Sequence, residues 1–387
     1  MATRVCILTS GHTVTDTRIF HREAKTLART GYQVVLHGVQ PNPDDPIPDA
    51  SRQLLVRSFK PTRSRLNRLL LSSPRAFLFA LRVRAQIYHL HDPELLPLAL
   101  ALKFFGRRVV CDIHEDYYRQ LQDKSFLPRP LRPLLASLFH RWEKFIARHI
   151  DGVITATETV AHRLGPAPRR VVTVKNYPDL TPHLAVSMPF ERPELCKTTT
   201  SSRAGKNPFR IIHLARTLTP ERGITLLLDA LCKLPDGELI LAGRFVSPAY
   251  EREIKNHPGY QSVRYLGIIP HSDCFQWYAV SDAGVVPSLP VLGYEFALPV
   301  KMFEFMKAGL PVVVPDFPPL RAVIQESACG LSFVPGDIDS LVAALQSLKS
   351  QPEKARALGE NGRQAVNRIY NWANEEKKLL KLYERIV

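Results

Sequence analysis

The chain offers no pattern of cysteines that would cross-link it or hold a metal. Its six cysteines stand at 6, 111, 196, 232, 274 and 329. No two have C-x-x-C spacing, which excludes a compact thiolate zinc site and a disulfide framework. Cys6 and Cys111 sit inside apolar runs and read as buried thiols, in keeping with a reducing compartment. No run of about 18 apolar residues occurs, so no helix of the chain is expected to span a bilayer. The opening Met1-Ala-Thr-Arg-Val-Cys-Ile-Leu8 is too short and too broken by polar residues for a signal peptide and reads as a strand. A cytoplasmic protein is expected. Acidic residues are scarce: 36 Asp and Glu face 52 Lys and Arg, for a formal charge of +16 and a pI of about 9.7. That imbalance implies an anionic partner, whether nucleic acid, acidic lipid headgroups or a phosphorylated substrate. No G-x-G-x-x-G follows the first strand, which argues against a dinucleotide-dependent oxidoreductase. Nor do aromatics interleave with the basic residues as a stacking platform requires, which argues against a nucleic-acid-binding protein without catalysis.

Length and composition do permit large cores: 387 residues, 45% hydrophobic and 23% charged, favour two globular domains. Short apolar runs alternate with helical patterns throughout. Val5–Thr9 reads as a strand, Ser10-Gly11-His12 as a loop, Asp16–Leu27 as a helix and Val34–Leu36 as the next strand. Tyr88–His91, Val109–Ile113, Val153–Thr155 and Val171–Val174 continue the strands, with an apolar helix at Leu95–Phe105. A second series runs from strand Phe209–Leu214 through helix Thr225–Leu231, strands Glu238–Ala242 and Ser262–Leu266, helix Asp273–Val280 and strand Ala283–Val286 to helix Ile338–Leu348. Such alternation predicts an α/β architecture of two doubly wound parallel sheets. Between the two series, Pro182, Pro189 and Pro193 precede Lys197-Thr-Thr-Thr-Ser-Ser-Arg-Ala-Gly-Lys206, a linker composition. The expected division is 1–178, a linker at 179–207, 208–366 and a charged C-terminal helix over 367–387.

Leu298-Pro-Val-Lys-Met-Phe-Glu-Phe-Met-Lys-Ala-Gly-Leu-Pro-Val-Val-Val314 carries the most information. It predicts a helix opening after Pro299 and closing at Gly309, then an apolar strand. Lys301 and Glu304 are three apart and share a face near the helix N-terminus, where anions are favoured. Glu304 has the acceptor pair that a ribose diol needs. That set suits a nucleoside diphosphate; it also fits an ordinary capped helix with one Lys–Glu surface pair. Arg216-Thr-Leu-Thr-Pro-Glu-Arg222-Gly223 follows a strand and places two guanidinium forks where phosphates bind, or two solvated arginines. Gly243, before Arg244, lets backbone approach a ligand closely. In the first domain, His114 follows a strand end among Asp112, Glu115 and Asp116, acids expected to raise its pKa and to suit acid–base or sugar-hydroxyl contact. The same His and acids are also metal donors, but they come without a second compact His/Asp cluster, and no metal site is expected. Residues Arg57 to Arg84 mix arginines with leucines and phenylalanines, either a basic helix lying on an anionic membrane or a core-facing helix with a solvated basic side.

Taken in order, Asp16-Thr-Arg-Ile-Phe-His-Arg-Glu-Ala-Lys-Thr-Leu-Ala28, His91-Asp-Pro-Glu-Leu95, Asp112-Ile-His-Glu-Asp116, Asn176-Tyr-Pro178, Arg222-Gly223 and Lys301-Met-Phe-Glu-Phe-Met-Lys-Ala-Gly-Leu-Pro-Val312 resemble the family-four glycosyltransferases. The resemblance covers nearly the whole chain. It implies the GT-B fold, two facing Rossmann-like domains with a C-terminal helix crossing back to the first. It also implies retaining transfer of a hexose from a nucleotide sugar to a glycan or lipid-linked acceptor, as in polysaccharide or glycoconjugate assembly, with no metal and no cofactor. An anionic surface at the inner face of the membrane is a further candidate partner; nucleic acid is not. By this resemblance His114, Glu304, Arg216 and Arg222 are the catalytic candidates. Lys301, Glu295, Gly243, Arg244, Ile268, Phe296 and Leu298 fall in the donor pocket, and Asp16, Arg18, His91, Asp92 and Glu115 on the acceptor side. The family's paired-Glu motif separates its acids by seven residues; here Phe296 takes the first place and Glu295 stands one position early. The first glycine-rich loop is also altered, since Ser10-Gly-His-Thr-Val-Thr-Asp16 holds a single glycine.

Overall fold

The structure is a computed structural model that describes residues 2–40, 51–60, 73–114, 116–123, 127–165, 170–180, 208–291 and 293–387. Glu115, residues 61–72 of the basic segment and residues 181–207 of the expected linker lie outside the described residues. The chain divides into two compact units: Met1–Asn176 with Trp372–Val387, and Tyr177–Asn371.

In the first unit β1 (Arg4–Thr13) leads to α1, a π-helical run Thr17–Ala24 continued by an α-helical turn Lys25–Arg29. Then follow β2 (Gln33–Val39), β3 (Leu54–Phe59), α2 (Ser73–Val83), β4 (Ile87–Leu90), α3 (Leu96–Phe104) and β5 (Arg108–Ile113). α4 (Tyr117–Asp123), α5 (Leu131–His149), β6 (Gly152–Thr155), α6 (Glu158–Leu164) and β7 (Val171–Thr173) complete the series. The sheet is parallel, in the order β3-β2-β1-β4-β5-β6-β7. Parallel strands are covered on both faces, which is why β1 reads as an unbroken apolar run. Val5 and Ile7 enter one core with α1; Cys6 and Leu8 enter the other with α2, α3 and α5.

The second unit runs β8 (Phe209–Leu218), α7 (Ile224–Lys233), β9 (Gly237–Phe245), α8 (Pro248–Lys255), β10 (Val263–Tyr265), α9 (Cys274–Ala279) and β11 (Ala283–Val285). It ends with α10 (Val300–Lys307), β12 (Val312–Pro315), α11 (Pro318–Ser327), β13 (Gly330–Phe333), α12 (Ile338–Ser350) and α13 (Pro352–Arg368). Its parallel sheet has the order β10-β9-β8-β11-β12-β13, again with a core on each face. The last helix, α14 (Trp372–Ile386), belongs to the first unit. Its Trp372, Leu379, Tyr383 and Ile386 enter the core beside α1, and Trp372 Nε1 donates to Thr26 Oγ1 at 2.9 Å. In each sheet the strand order reverses once, beside β1 and beside β8, and in such sheets ligands bind outside the carboxyl ends of the strands at that reversal.

Several expectations need correction. Ser10–His12 is not a loop: β1 continues to Thr13, its register against β2 shifting between Leu8 and Thr13. Arg57 lies in β3, so the basic segment is not one helix, and only Ser73–Val83 of its described residues is helical. Arg216 and Gly243 do not follow their strands but lie within β8 and β9. Helices α5, α8, α11 and α13 were not expected; α5 in particular bears apolar residues on both faces and so blurs the helical period.

Candidate active site

In the second unit, β8 pairs with β9 through Leu214 opposite Ala242 and Thr217 opposite Arg244. Ala215 and Arg216 together therefore oppose Gly243 alone, a bulge that turns Arg216 out to solvent. Gly243 has φ of 142°, and a Cβ there would lie 2.1 Å from the Ala215 carbonyl oxygen, so the bulge requires glycine. Arg222 ends a short 3-10 turn, Pro220–Arg222. Gly223 follows with φ of 70° and packs so closely that a Cβ would lie 2.0 Å from the Pro287 carbonyl oxygen. Gly223 opens α7 and Pro299 opens α10, and neither helix has a side-chain cap at its N-terminus. Both ends thus present backbone N–H groups, one beside Arg222 and the other beside Lys301.

Glu304 is 5% exposed and bound on both oxygens. Oε1 lies 2.9 Å from His271 Nε2; Oε2 accepts from Tyr278 Oη at 2.9 Å and from Lys301 Nζ at 2.8 Å. Burial alone would raise its pKa, but the hydrogen bonds and charges of His271 and Lys301 hold it at about 2, a carboxylate at neutral pH. The expected Lys–Glu pair is present with its carboxylate buried and its ammonium partly exposed, and a tyrosine and a histidine are added from the preceding helical segment. His213, buried in β8, sets its Nδ1 3.0 Å from the Val285 carbonyl, which accepts; its Nε2 has no hydrogen-bond partner among the described residues. Burial lowers its pKa to about 4, and the Arg222 and Lys301 charges push the same way. The Arg222 guanidinium lies 5.9 Å from the Tyr294 ring centroid. Glu295 and Phe296 form a short turn, Tyr294–Phe296, and are half-buried, as is Leu298. Ile268 and Arg244 are exposed.

In the first unit, Arg18 and His91, two of the expected acceptor-side residues, meet in the domain interior around Asp112 and Glu23. Asp16 caps α1, its Oδ1 accepting from the Arg18 and Ile19 amides at 2.9 and 3.1 Å. The buried Arg18 forks onto Asp112, 2.6 Å from Nε and 3.1 Å from Nη2, and gives Nη1 to the Val174 carbonyl. Glu23 lies 3.1 Å from Arg18 Nε; His91 lies 3.4 Å from Glu23 and 3.2 Å from Asp112. Glu23, His89, His91 and Asp112 bring four donor atoms within 4.8 Å of one another. Arg18 already supplies the positive charge between the two carboxylates, which disfavours a metal ion there. Burial and the neighbouring Asp112 raise the Glu23 pKa strongly, whereas Arg18 overcomes burial at Asp112 and keeps it ionised. His89 Nδ1 lies 2.9 Å from Tyr383 Oη, which ties α14 to this cluster.

Closer to solvent, the Asp92 carboxylate gathers the end of β1. It accepts from Thr9 Oγ1 and the Ser10 amide at 2.6 Å and from the Gly11 amide at 3.2 Å, and lies 3.1 Å from His12 Nδ1. The His12 ring stands edge-on to His114 with centroids 5.0 Å apart. His12, Asp92 and His114 so cluster at the carboxyl ends of the adjacent strands β1, β4 and β5. The acids around His114 do not raise its pKa as expected: burial outweighs Asp112, and the pKa falls.

Sequence reasoning missed His271, Tyr278, His213, His12 and Glu23. Glu23 stood in a quoted motif but without a role. The others become partners only through contacts distant in sequence, and no local spacing announces them.

Two family models match the chain. The Glycosyl transferase 4-like domain matches residues 17–177 and Glycosyl transferases group 1 matches residues 198–365. Among curated relatives, phosphatidyl-myo-inositol mannosyltransferase of Mycobacterium leprae is 25% identical over 309 residues, 78% of this chain and 73% of that protein. Glycogen synthase of Mycobacterium tuberculosis is 23% identical over 300 residues, 75% of this chain and 66% of that protein. The MMP alpha-(1->4)-mannosyltransferase of Mycolicibacterium hassiacum is 29% identical over 195 residues, 48% of this chain and 45% of that protein. The chain thus spans about half to two thirds of the length of the latter two. Among solved structures, sucrose-phosphate synthase from Thermosynechococcus elongatus superposes with a TM-score of 0.74 at 19% identity, covering 100% of this chain and 99% of that one. HepE of Anabaena, in complex with UDP and glucose, gives 0.74 at 15% identity over 99% of each chain. Two matching models, one over each series of strands, and full-length likeness in fold agree: the chain belongs to the family-four, group 1 glycosyltransferases of the GT-B fold.

Proposed function

We propose that the protein transfers a hexose, with retention at the anomeric carbon, from a nucleoside-diphosphate sugar to a glycan or lipid-linked acceptor in polysaccharide or glycoconjugate assembly. The observation that carries this reading is the placing of two cations, Arg222 and Lys301, each at the N-terminus of a helix without a side-chain cap. Glycosidic cleavage of such a donor builds negative charge on the departing diphosphate. Arg216, Arg222, Lys301 and the two helix ends would stabilise that charge where it develops. The departing phosphate can take the acceptor proton, so no strong base is needed.

In this reading Glu304 binds the ribose diol, as the family resemblance implies. Its Oε2 already holds Lys301. Donor binding would draw the Lys301 ammonium to the diphosphate and free that oxygen, while His271 keeps the carboxylate in place. Gly243, Arg244 and Ile268 would line the base, with Glu295, Phe296 and Leu298 completing the pocket. In the first unit, His114 would contact the transferred sugar as a neutral hydrogen-bonding ring. Asp16, Arg18, His91 and Asp92 would hold the strand ends from below, and Glu115 remains an acceptor-side candidate. We place the protein in the cytoplasm with an anionic membrane surface as partner; no helix of the described residues is long and apolar enough to cross a membrane.

A thermal-shift panel of UDP, GDP, ADP, dTDP, CMP and NAD on wild type and Arg222→Ala tests the reading. Stabilisation by one nucleoside diphosphate, lost in the variant, is expected and names the base. A wild type that responds to none of them overturns it.

A further inference from the structure

α5 (Leu131–His149) packs through Ala136, Ile146 and Ala147, which are buried. The opposite side of the helix is not polar. Leu131, Leu134, Leu138, Trp142 and Phe145 recur at steps of three and four residues, so they line one face, and all are exposed, Leu134 by 55% and Leu138 by 52%. The Trp142 and Phe145 rings stack along that face with centroids 5.9 Å apart. Single exposed apolar residues are ordinary, but an uninterrupted stripe on a helix about 28 Å long is not. α2 and α3 cover the same face of the sheet as α5, sharing its core. They add to its outer side: Phe104, at the end of α3, is 87% exposed, and Leu78 and Leu81 of α2 are exposed too.

Charge identifies what would cover this stripe. Arg141 and Arg148, both exposed, flank it. The single acid of the helix, Glu143, is buried and held by Arg163 at 2.5 Å, so it offsets none of that charge at the surface. A second copy of the chain would bring like charges together across the stripe. An anionic bilayer accepts both features at once, the apolar side chains entering the acyl boundary and the cations meeting the headgroups. We propose that α5, with the exposed ends of α2 and α3, is the surface by which this protein docks on membranes containing anionic phospholipid. That the docked face serves a lipid-linked acceptor rests on the transferase reading; the docking itself does not.

The test uses the whole chain and vesicles free of donor and acceptor, so its failure stays separate from failure of the transferase reading. Of the three tryptophans, Trp277 and Trp372 are buried, so a change of emission on binding reports on Trp142. Wild type is expected to float with vesicles of phosphatidylcholine containing about one third phosphatidylglycerol, with emission moving to shorter wavelength, and to bind phosphatidylcholine alone at least about ten-fold more weakly. Leu134→Asp/Leu138→Asp alters exposed positions only; it should keep the wild-type melting curve and bind anionic vesicles at least about ten-fold more weakly. Arg141→Glu/Arg148→Glu should also weaken binding, and the wild type should lose affinity at about 0.5 M salt. The proposal is overturned if wild type floats with neither vesicle, if it binds both equally, or if Leu134→Asp/Leu138→Asp floats as wild type does. It is equally overturned if sedimentation shows a wild-type dimer that this variant dissociates while vesicles have no effect, which would assign the face to a second copy.

Discussion

Glu304→Gln separates charge from shape at the centre of the second unit. The buried carboxylate is held at about 2 instead of its ordinary 4.5. At about 1.4 kcal/mol for each tenfold in proton affinity, that displacement corresponds to about 3 kcal/mol of stability. Lys301 and His271 are partly exposed and screened by solvent, which brings the expected figure to about 2 kcal/mol. The sign follows from the direction. A group whose pKa is lowered by folding stabilises the fold above its unfolded value and stops doing so as pH falls towards its folded value. The stabilisation is therefore fully present at neutral pH and fades between pH 4.5 and about 2. Glutamine keeps the volume and lacks the charge, so its deficit against wild type should be about 2 kcal/mol at pH 7 and shrink by more than half by about pH 3. Urea titration with pulsed hydrogen exchange, read on peptides of α9 and α10, follows this unit apart from the other. A deficit unchanged between pH 7 and pH 3 would show that Glu304 acts through packing and would refute the electrostatic account.

Other expectations follow the same geometry. Arg18→Met leaves Asp112 buried without its guanidinium partner and should cost about 3–5 kcal/mol in the first unit, measured by urea denaturation, while Arg18→Met/Asp112→Leu should recover most of it. Gly243→Ala drives a Cβ against the Ala215 carbonyl oxygen and should cost about 2 kcal/mol or more and abolish the nucleoside-diphosphate thermal shift; an unaltered shift would remove the bulge from the donor site. Because burial lowers the His114 pKa, the ring is neutral at pH 7, and no acid limb from it should appear in transfer rates between about pH 7 and pH 8. His114→Ala should reduce transfer more than nucleotide binding, and equal losses in both would take His114 out of contact with the sugar.

The two parallel sheets were readable from residue order alone. Buried parallel strands must be apolar throughout, and Val5-Cys-Ile-Leu8 and Val312-Val-Val314 carry that mark without any tertiary information. The helix from Val300 to Lys307 was readable too, because Pro299 and Gly309 act through their own backbone angles. Side-chain company was not. Lys301 beside Glu304 follows from helical spacing, but Tyr278 and His271 reach the same carboxylate from 26 and 33 residues away. The extension of β1 past Ser10 depends on Asp92, 82 residues later, whose carboxylate gathers amides that a sequence reads as a loop. His114 shows the limit most directly. Its acidic neighbours in the chain predict a raised pKa, yet desolvation is a property of the packed domain, and it reverses the sign. The outward stripe of α5 has the same origin: apolar residues on two faces of one helix are both core-like in sequence, and only packing leaves one of them in water. Backbone geometry and apolar runs act over a few residues and are written locally; burial and the partners of a charge arise when distant segments close over them.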